Sequence, residues 1–336
     1  MTNLLTQMLN DKGALLADGA TGTNLFNMGL MAGDAPEIWN AEKPENIKAL
    51  YKGAVDAGSD LFLTNSFGAN ASRLKLHSAE DRVFELSRMA AELGRDVADA
   101  SGRQVIVAGS VGPTGDIMQP VGPLSHADAA AMFEATALGL KAGGADVLWL
   151  ETISSQEEFS AAAEGFAKAD MDWCGTMSFD TAGRTMMGVT ATGFTEFVET
   201  LEHPPLAFGA NCGVGASDLL RTTLGFQSSN RPRIAKGNAG IPKYVEGHIH
   251  YDGTPALMAE YVRLAHASGA RIIGGCCGTT PEHLRSMRAA LDTIVERPAP
   301  TLSEISQVLG GFSSELDGTE DNAPTKPARR RRRPAA

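Results

Sequence analysis

Residues 271–291, RIIGGCCGTTPEHLRSMRAAL, read as one strand, one glycine-rich turn and the start of one helix. Arg271–Cys276 is a short, mostly apolar run with a pair of β-branched residues, as expected of a strand covered on both faces. Thr280 then stands ahead of Pro281, and proline is favoured at the first helical position, where its missing N–H has no partner to lose. The same unit recurs along the chain. Strands are expected at Ala14–Asp18, Leu61–Ser66, Val105–Ser110, Val147–Thr152, Trp173–Phe179, Leu206–Cys212, Arg233–Gly237 and Arg271–Cys276. They end in the turns DGATG, NSFGAN, GSVGPTG, ETIS, SFDTAG, ANCGVG, GNAG and GGCCGTT.

Helical periodicity fills the gaps. In Glu80–Ala100, Val83, Leu86, Ala90, Leu93 and Val97 recur at spacings of three and four, and Ser125 ahead of His126-Ala127-Asp128 resembles a capping box. Strand–helix alternation requires parallel pairing through right-handed crossovers. Eight units in about 295 residues predict an α/β fold of the (β/α)8 TIM-barrel type rather than an open doubly wound sheet, with the glycine-rich turns on the C-terminal rim. The barrel is expected to occupy residues 1–299. Residues 300–336 then form a C-terminal segment, with a short helix at Thr301–Leu309 and a disordered tail beyond Gly310 that carries the run Arg329–Arg333.

Bulk composition narrows the function. The formal charge is −11, and the first 299 residues, with 23 basic and 35 acidic side chains, stand at −12, which excludes a phosphate-binding surface for nucleic acid. The opening MTNLLTQMLNDKG lacks the basic and apolar stretches of a signal peptide, and no apolar run approaches the roughly 18 residues of a membrane span. A cytoplasmic protein is expected, in which the four cysteines do not build a disulfide framework and metal or catalytic roles gain weight. Nothing in the pattern specifies an oligomer.

Cys212 ends the sixth strand in GANCGVG, and Cys276 and Cys277 end the eighth in IIGGCCGTT. Strand ends two apart around a barrel converge at its mouth, so the three thiols can share one site. Adjacent strand residues point to opposite faces, so Cys276 and Cys277 chelate together only where the backbone leaves strand geometry, and Gly274, Gly275 and Gly278 permit that. Soft thiolates favour zinc, and three protein ligands leave a tetrahedral position open, which is the catalytic arrangement. A zinc ion so rich in thiolate is a weak generator of hydroxide but binds an incoming thiol and removes its proton. Cys174, inside the fifth strand, reads as a small core residue, and the His248/His250 pair as surface residues after the seventh strand.

Two acids complete the picture. Asp18 after the first strand and Glu151 at the end of the fourth are placed to hold an amino group, and the turn Ala20-Thr21-Gly22-Thr23 offers backbone N–H groups to a carboxylate. A thiol, an amine and a carboxylate describe a thiol amino acid. The rival reading is a thiol-based redox or metal-sensing barrel without methyl transfer, which leaves Asp18 and Glu151 unexplained.

The motifs DGATGT at 18–23, NSFGAN at 65–70, GSVGPTG at 109–115, Glu151, NCG at 211–213, GNAG at 237–240 and GGCCGTTPEH at 274–283 resemble the homocysteine S-methyltransferase family over roughly residues 11–295. The resemblance implies a (β/α)8 barrel with catalytic zinc on Cys212, Cys276 and Cys277. It also implies homocysteine held by Asp18, the Ala20–Thr21 backbone and Glu151, with Asn211 lining the site and methionine as product. Within the family the methyl group comes from betaine, from S-methylmethionine or S-adenosylmethionine, or from methylcobalamin, so the resemblance leaves either a small donor or a methylated corrinoid. A betaine-type donor calls for an aromatic cage, for which Trp39 is a candidate although NSFGAN and ETIS carry no Tyr. The barrel motifs look closer to the homocysteine module of cobalamin-dependent methionine synthase, and with no folate or cobalamin domain in the sequence a separate methylated corrinoid protein is the other expected donor.

Overall fold

The computed structural model describes residues 3–226, 229–241, 243–245 and 248–318. Eight strands form one parallel sheet: β1 (Leu15–Leu16), β2 (Leu61–Leu63), β3 (Ile106–Val111), β4 (Val147–Ile153), β5 (Trp173–Met177), β6 (Ala207–Cys212), β7 (Arg233–Gly237) and β8 (Ala270–Gly275). Their order around the sheet is β1-β8-β7-β6-β5-β4-β3-β2, a nearly closed barrel with helices between the strands.

The seam between β1 and β2 is closed by one backbone bond and a side chain rather than by a continuous ladder. The Asp60 N–H donates to the Leu16 carbonyl at 2.7 Å, and the Leu16 N–H donates to Asp60 Oδ2 at 2.8 Å. This is why β1 and β2 are shorter than Ala14–Asp18 and Leu61–Ser66: part of their pairing runs through a carboxylate, and beyond Leu63 the chain turns, the Ser66 N–H bonding to the Thr64 carbonyl.

Side-chain alternation sorts the core into two layers. Leu15, Ala17, Leu61, Leu63, Ile106, Ala108, Val147, Trp149, Cys174, Ala207, Ile234 and Ile272 fill the barrel interior. Their neighbours Leu16, Phe62, Val107, Leu148, Phe208, Ala235 and Ile273 face outward onto the helices. Carrying the inward alternation toward the C-terminal ends brings Ser110, Glu151, Thr176, Asn211 and Lys236, so the apolar interior is roofed by a polar layer.

The helix starts follow the sequence signals. Ser125 Oγ accepts the Asp128 N–H at 3.1 Å, and His283 Nδ1 accepts the Thr280 N–H at 3.2 Å ahead of Pro281. The helix expected at Glu80–Ala100 opens with a 3-10 turn, Glu80–Arg82, before the α-helix Val83–Ala100. After β7, the expected loop holds a short antiparallel hairpin, Lys243–Val245 with His248–His250.

At the C-terminus the helix Leu302–Leu309 packs Ile305 and Leu309 into the main core. The expectation of disorder from Gly310 fails over residues 311–318. The Ser313 N–H donates to Asp218 Oδ2 at 3.0 Å, Arg221 donates to the Ser314 carbonyl at 2.8 Å, and the Arg221 guanidinium lies 4.5 Å from the centre of the Phe312 ring. A buried Asp218–Arg221 ion pair thus offers this stretch partners that its own composition does not reveal. The run Arg329–Arg333 lies outside the described residues. Among the described residues no helix is long and apolar enough to cross a membrane.

Candidate metal centre and substrate pocket

The thiols meet because two strand ends bend. Cys212, the last residue of β6, has φ 61°, a left-handed conformation that is costly for a residue with a Cβ and turns its side chain toward the barrel mouth. The Cys276 N–H still continues the β8–β7 ladder by donating to the Gly237 carbonyl at 2.8 Å. The next N–H, that of Cys277, leaves the ladder for Asn238 Oδ1 at 3.0 Å, which frees Cys277 from the alternation of the strand. Gly278 follows with φ 79°, and the Tyr251 ring fills the space where its Cβ would lie, so a larger residue is barred twice over.

Cys212 Sγ and Cys277 Sγ lie 4.0 Å apart, and the three Sγ atoms lie within 4.8 Å of one another. Two thiolates on a tetrahedral zinc with bonds of about 2.3 Å would sit about 3.8 Å apart, whereas a disulfide requires about 2.05 Å. The donor set and its spacing therefore fit zinc. Among the described residues these cysteines are the only cluster of three or more Cys, His, Asp or Glu side chains close enough to hold a metal, and His250 is not part of it.

Each thiol has its own polar neighbour. Asn238 Nδ2 is 3.7 Å from Cys212 Sγ and is fixed by donating to the Gly213 carbonyl at 2.8 Å. Asn211 Nδ2 is 3.9 Å from Cys276 Sγ. The Tyr251 ring packs at Gly278, next to Cys277, and its hydroxyl favours the Cys277 thiolate. For Cys212, the hydrogen bond with Cys276 favours the thiolate, but the bond with Cys277 and burial outweigh it and push the thiol up to about 12. Cys277 rises to about 12 in the same way, its bond with Cys212 outweighed by that with Cys276 and by burial. Cys276 is raised by its bond with Cys212 and by burial. Without a metal, the three sulfurs carry protons at neutral pH.

Asn211 also ties β6 to β4. Its Oδ1 accepts the Thr152 N–H at 2.9 Å and the Thr176 hydroxyl at 2.7 Å, while its Nδ2 donates to Thr152 Oγ1 at 2.8 Å. Thr152 has φ 63°, so this clamp holds a strained residue beside Glu151. Glu151 accepts from Ser110 Oγ at 2.6 Å, and burial raises its carboxyl above the ordinary range.

Asp18 is placed less freely than its position in DGATGT implied. Its Oδ2 accepts the Leu63 N–H at 2.8 Å, and its Oδ1 is paired with the ammonium of Lys236. The Ala20 N–H is taken by the Thr279 carbonyl at 3.2 Å, so the expected exposure of that group to a substrate carboxylate does not hold, and the turn contributes from Thr21 onward, where the first N–H groups of the helix Gly22–Asn27 have no intrahelical partner. Asp18, Ala20 and Thr21 border a cavity of about 150 Å³ that Tyr51 and Leu63 also line. Trp39 lies elsewhere: it is 4% exposed, and Lys43 Nζ sits 3.9 Å from the centre of its ring.

Sequence reasoning missed three residues here. Lys236 carried a signal, since it falls two residues after Ile234 on the inward face of a buried strand, where a charge needs a partner. Asn238 stood in the quoted GNAG motif without a role. Tyr251 carried no local signal, because its contact with Cys277 depends on how the chain returns after the hairpin.

Comparison with known proteins adds a consistent set of likenesses. Residues 15–291 match the family described as Homocysteine S-methyltransferase. The methionine synthase of Mycobacterium tuberculosis is 30% identical over 307 residues, covering 86% of this chain and 25% of that protein. The methionine synthase of Mycobacterium leprae is 29% identical over 295 residues, covering 82% of this chain and 24% of that protein. The chain thus spans about a quarter of the length of these relatives. The crystal structure of the homocysteine methyltransferase MmuM from Escherichia coli, in its oxidized form, superposes with a TM-score of 0.70 at 25% identity, covering 86% of this chain and 99% of that one.

Proposed function

The chain belongs to the homocysteine S-methyltransferase family, and on that premise we propose that it transfers a methyl group to the sulfur of homocysteine to give methionine, with zinc held by Cys212, Cys276 and Cys277. The observation that carries this reading is the convergence of three thiols within 4.8 Å at the mouth of the barrel. The catalytic unit is the barrel of residues 1–299, with residues 300–336 appended to it.

When bound, zinc on three thiolates would keep a fourth, substrate sulfur deprotonated and nucleophilic at neutral pH. The protein supplies the rest. Asn238 and Asn211 each direct a donor at one cysteine sulfur, and Tyr251 favours the Cys277 thiolate, so together they fix the thiols and temper their charge. Glu151 and Asp18 form the acidic side of the pocket, toward the substrate ammonium, and the turn from Thr21 onward faces its carboxylate. The S–CH3 bond forms as the bond from methyl to donor breaks, and the electron pair of that bond leaves with the donor. No proton moves at carbon, so the reaction asks of Asn211 and Asn238 only that they present donors to sulfur.

The donor is a methylated corrinoid protein or a betaine-type small molecule. Burial of Trp39 under Lys43 removes the aromatic residue first considered for a quaternary-ammonium cage. The test is to measure zinc in reduced, purified protein and then methionine formed from homocysteine with each donor. One zinc per chain and methionine from one donor are expected, with both lost in Cys276→Ala. Zinc-free protein, or unimpaired turnover in that variant, would sink the reading.

A further inference from the structure

The chain beyond the barrel turns back to its C-terminal rim. From Gly310 it runs over the helix Ala216–Leu224, which begins shortly after Cys212. Ser217 Oγ donates to the Gly310 carbonyl at 2.8 Å, the Ser313 N–H donates to Asp218 Oδ2 at 3.0 Å, and Arg221 donates to the Ser314 carbonyl at 2.8 Å. The buried Asp218–Arg221 pair thus spends its remaining acceptor and donor on this one segment.

The same segment then reaches a second part of the rim. Gly318, with φ 83°, lies backbone against backbone with Gly183, with φ 77°. A Cβ on Gly318 would strike the Gly183 carbonyl, and a Cβ on Gly183 would strike the Asp317 carbonyl, so only glycine fits on either side. Gly183 sits in the turn that follows β5, where Thr181 and Arg184 exchange backbone hydrogen bonds at 2.9 and 3.0 Å. The next residue, Thr185, is 1% exposed and donates from Oγ1 to the Ser154 carbonyl at 2.7 Å, just past Glu151 and the positive-φ Thr152.

We infer that residues 310–318 are a positioning strap. They tie the turn after β5 to the helix after Cys212, and so hold the substrate side of the rim, at Glu151–Ser154, in place against the thiol side. The strap acts through these two elements and not on the substrate. Its part in substrate binding rests on the reading of the site as a homocysteine site, whereas its hold on the turn stands on the contacts alone.

The experiment uses full-length variants, with amide hydrogen exchange across residues 181–190 and calorimetric titration of zinc-loaded protein with L-homocysteine. Gly318→Val puts a β-branched residue at positive φ and against the Gly183 carbonyl, so the end of the strap cannot seat. Exchange across 181–190 should quicken by roughly tenfold or more, the effect of losing contacts equal to one or two net hydrogen bonds. Homocysteine binding should weaken by roughly threefold or more. Zinc content should hold, and the melting temperature should stay within about 3 °C, because neither the thiols nor the core is altered.

Phe312→Ala removes the ring beside Arg221 but keeps the Asp218–Arg221 pair, and should give the same pattern more weakly. Glu315→Gln, at an exposed position of the strap, should match the unmodified protein. Unchanged exchange in both Gly318→Val and Phe312→Ala would show that the strap does not hold the turn. Quickened exchange with undiminished homocysteine binding, or loss of zinc and melting temperature together, would show a segment that only stabilises the fold. Each of these results overturns the inference. If the unmodified protein binds no homocysteine, the methyltransferase reading fails instead, and the exchange comparison still decides whether the strap holds the turn.

Discussion

The two ends of the barrel are built from the same eight strands and solve opposite problems. At the N-terminal end, Asp60 accepts the Leu16 N–H at 2.8 Å, Lys12 at 2.6 Å and Arg288 at 2.9 Å, and Arg288 reaches on to Asp292 at 2.6 Å. Each of these charges meets an opposite one supplied by the chain. At the C-terminal end, three sulfurs crowd within 4.8 Å, Cys212 and Thr152 sit at positive φ, and the buried cation, Lys236, is already paired with Asp18. The first end carries ion pairs made by the chain itself, while the second gathers the three thiols of the proposed metal site. A cavity of about 790 Å³ opens at the N-terminal end, beside Lys12, Asp60 and Arg288, against about 150 Å³ next to Asp18. Cavity size therefore does not mark the site in this barrel, whereas the convergence of three thiols does.

The sharpest way to break this contrast is pH. With Cys212 and Cys277 pushed up to about 12 and Cys276 also raised, the metal-free protein carries its thiol protons at neutral pH, and the proposed zinc would have to displace them. Because the bound form holds fewer protons than the free form, zinc affinity rises with pH and zinc is lost as pH falls. With three protons released, the slope approaches roughly 10³-fold per pH unit. Competition against a chromophoric chelator between pH 6 and pH 8 measures it, and a slope near zero would mean that the thiols do not bind the metal.

The next largest effect belongs to the other end. Asp60→Asn keeps the shape of the side chain but strips Lys12 of its counter-charge and leaves Arg288 with Asp292 alone. Both cations are partly exposed and can rehydrate, so the loss should be about 2–3 kcal/mol of folding stability rather than the larger penalty of a fully buried pair. Zinc stoichiometry should not change. Denaturant unfolding together with metal analysis checks both statements, and a loss of zinc would show that the two ends are not independent.

Much of this contrast was legible in the sequence. Strand alternation placed Cys212, Cys276, Cys277 and Glu151 correctly at the C-terminal ends, because covered strands must be apolar and their turns need glycine. What the sequence hid was side-chain partnership across the barrel. Lys236 looks like the polar end of a strand until Gly274 and Asp18 are seen opposite it. β1 reads as five residues, yet two pair as a strand, because Asp60 substitutes for part of the ladder. The order of residues 311–318 depends on Asp218 and Arg221, some 95 residues away in sequence.

Asn238→Ala sharpens the picture at the catalytic end. It removes the donor 3.7 Å from Cys212 and the acceptor of the Cys277 N–H, leaving all three sulfurs in place. Partners of this kind change metal affinity by about 10–100-fold, so zinc should be bound more weakly by that factor with little change in melting temperature. An unchanged affinity would mean that the strand geometry alone fixes the thiols.

The smallest effect is expected at Cys174, which has the same chemistry as Cys212 but a different height in the barrel. Cys174 lies among the interior side chains with Trp149, Ala207 and Ile234, fully buried, and burial raises its thiol far above the ordinary range. With no polar layer around it and no second sulfur in reach, it acts as a small apolar side chain, and Cys174→Ala should cost about 1 kcal/mol through lost packing. Zinc binding and thiol activation should be untouched. If Cys174→Ala instead lowered zinc content as Cys276→Ala is expected to do, height in the barrel would not be what separates a core cysteine from a ligand, and the contrast between a finished interior and an unfinished rim would have to be abandoned.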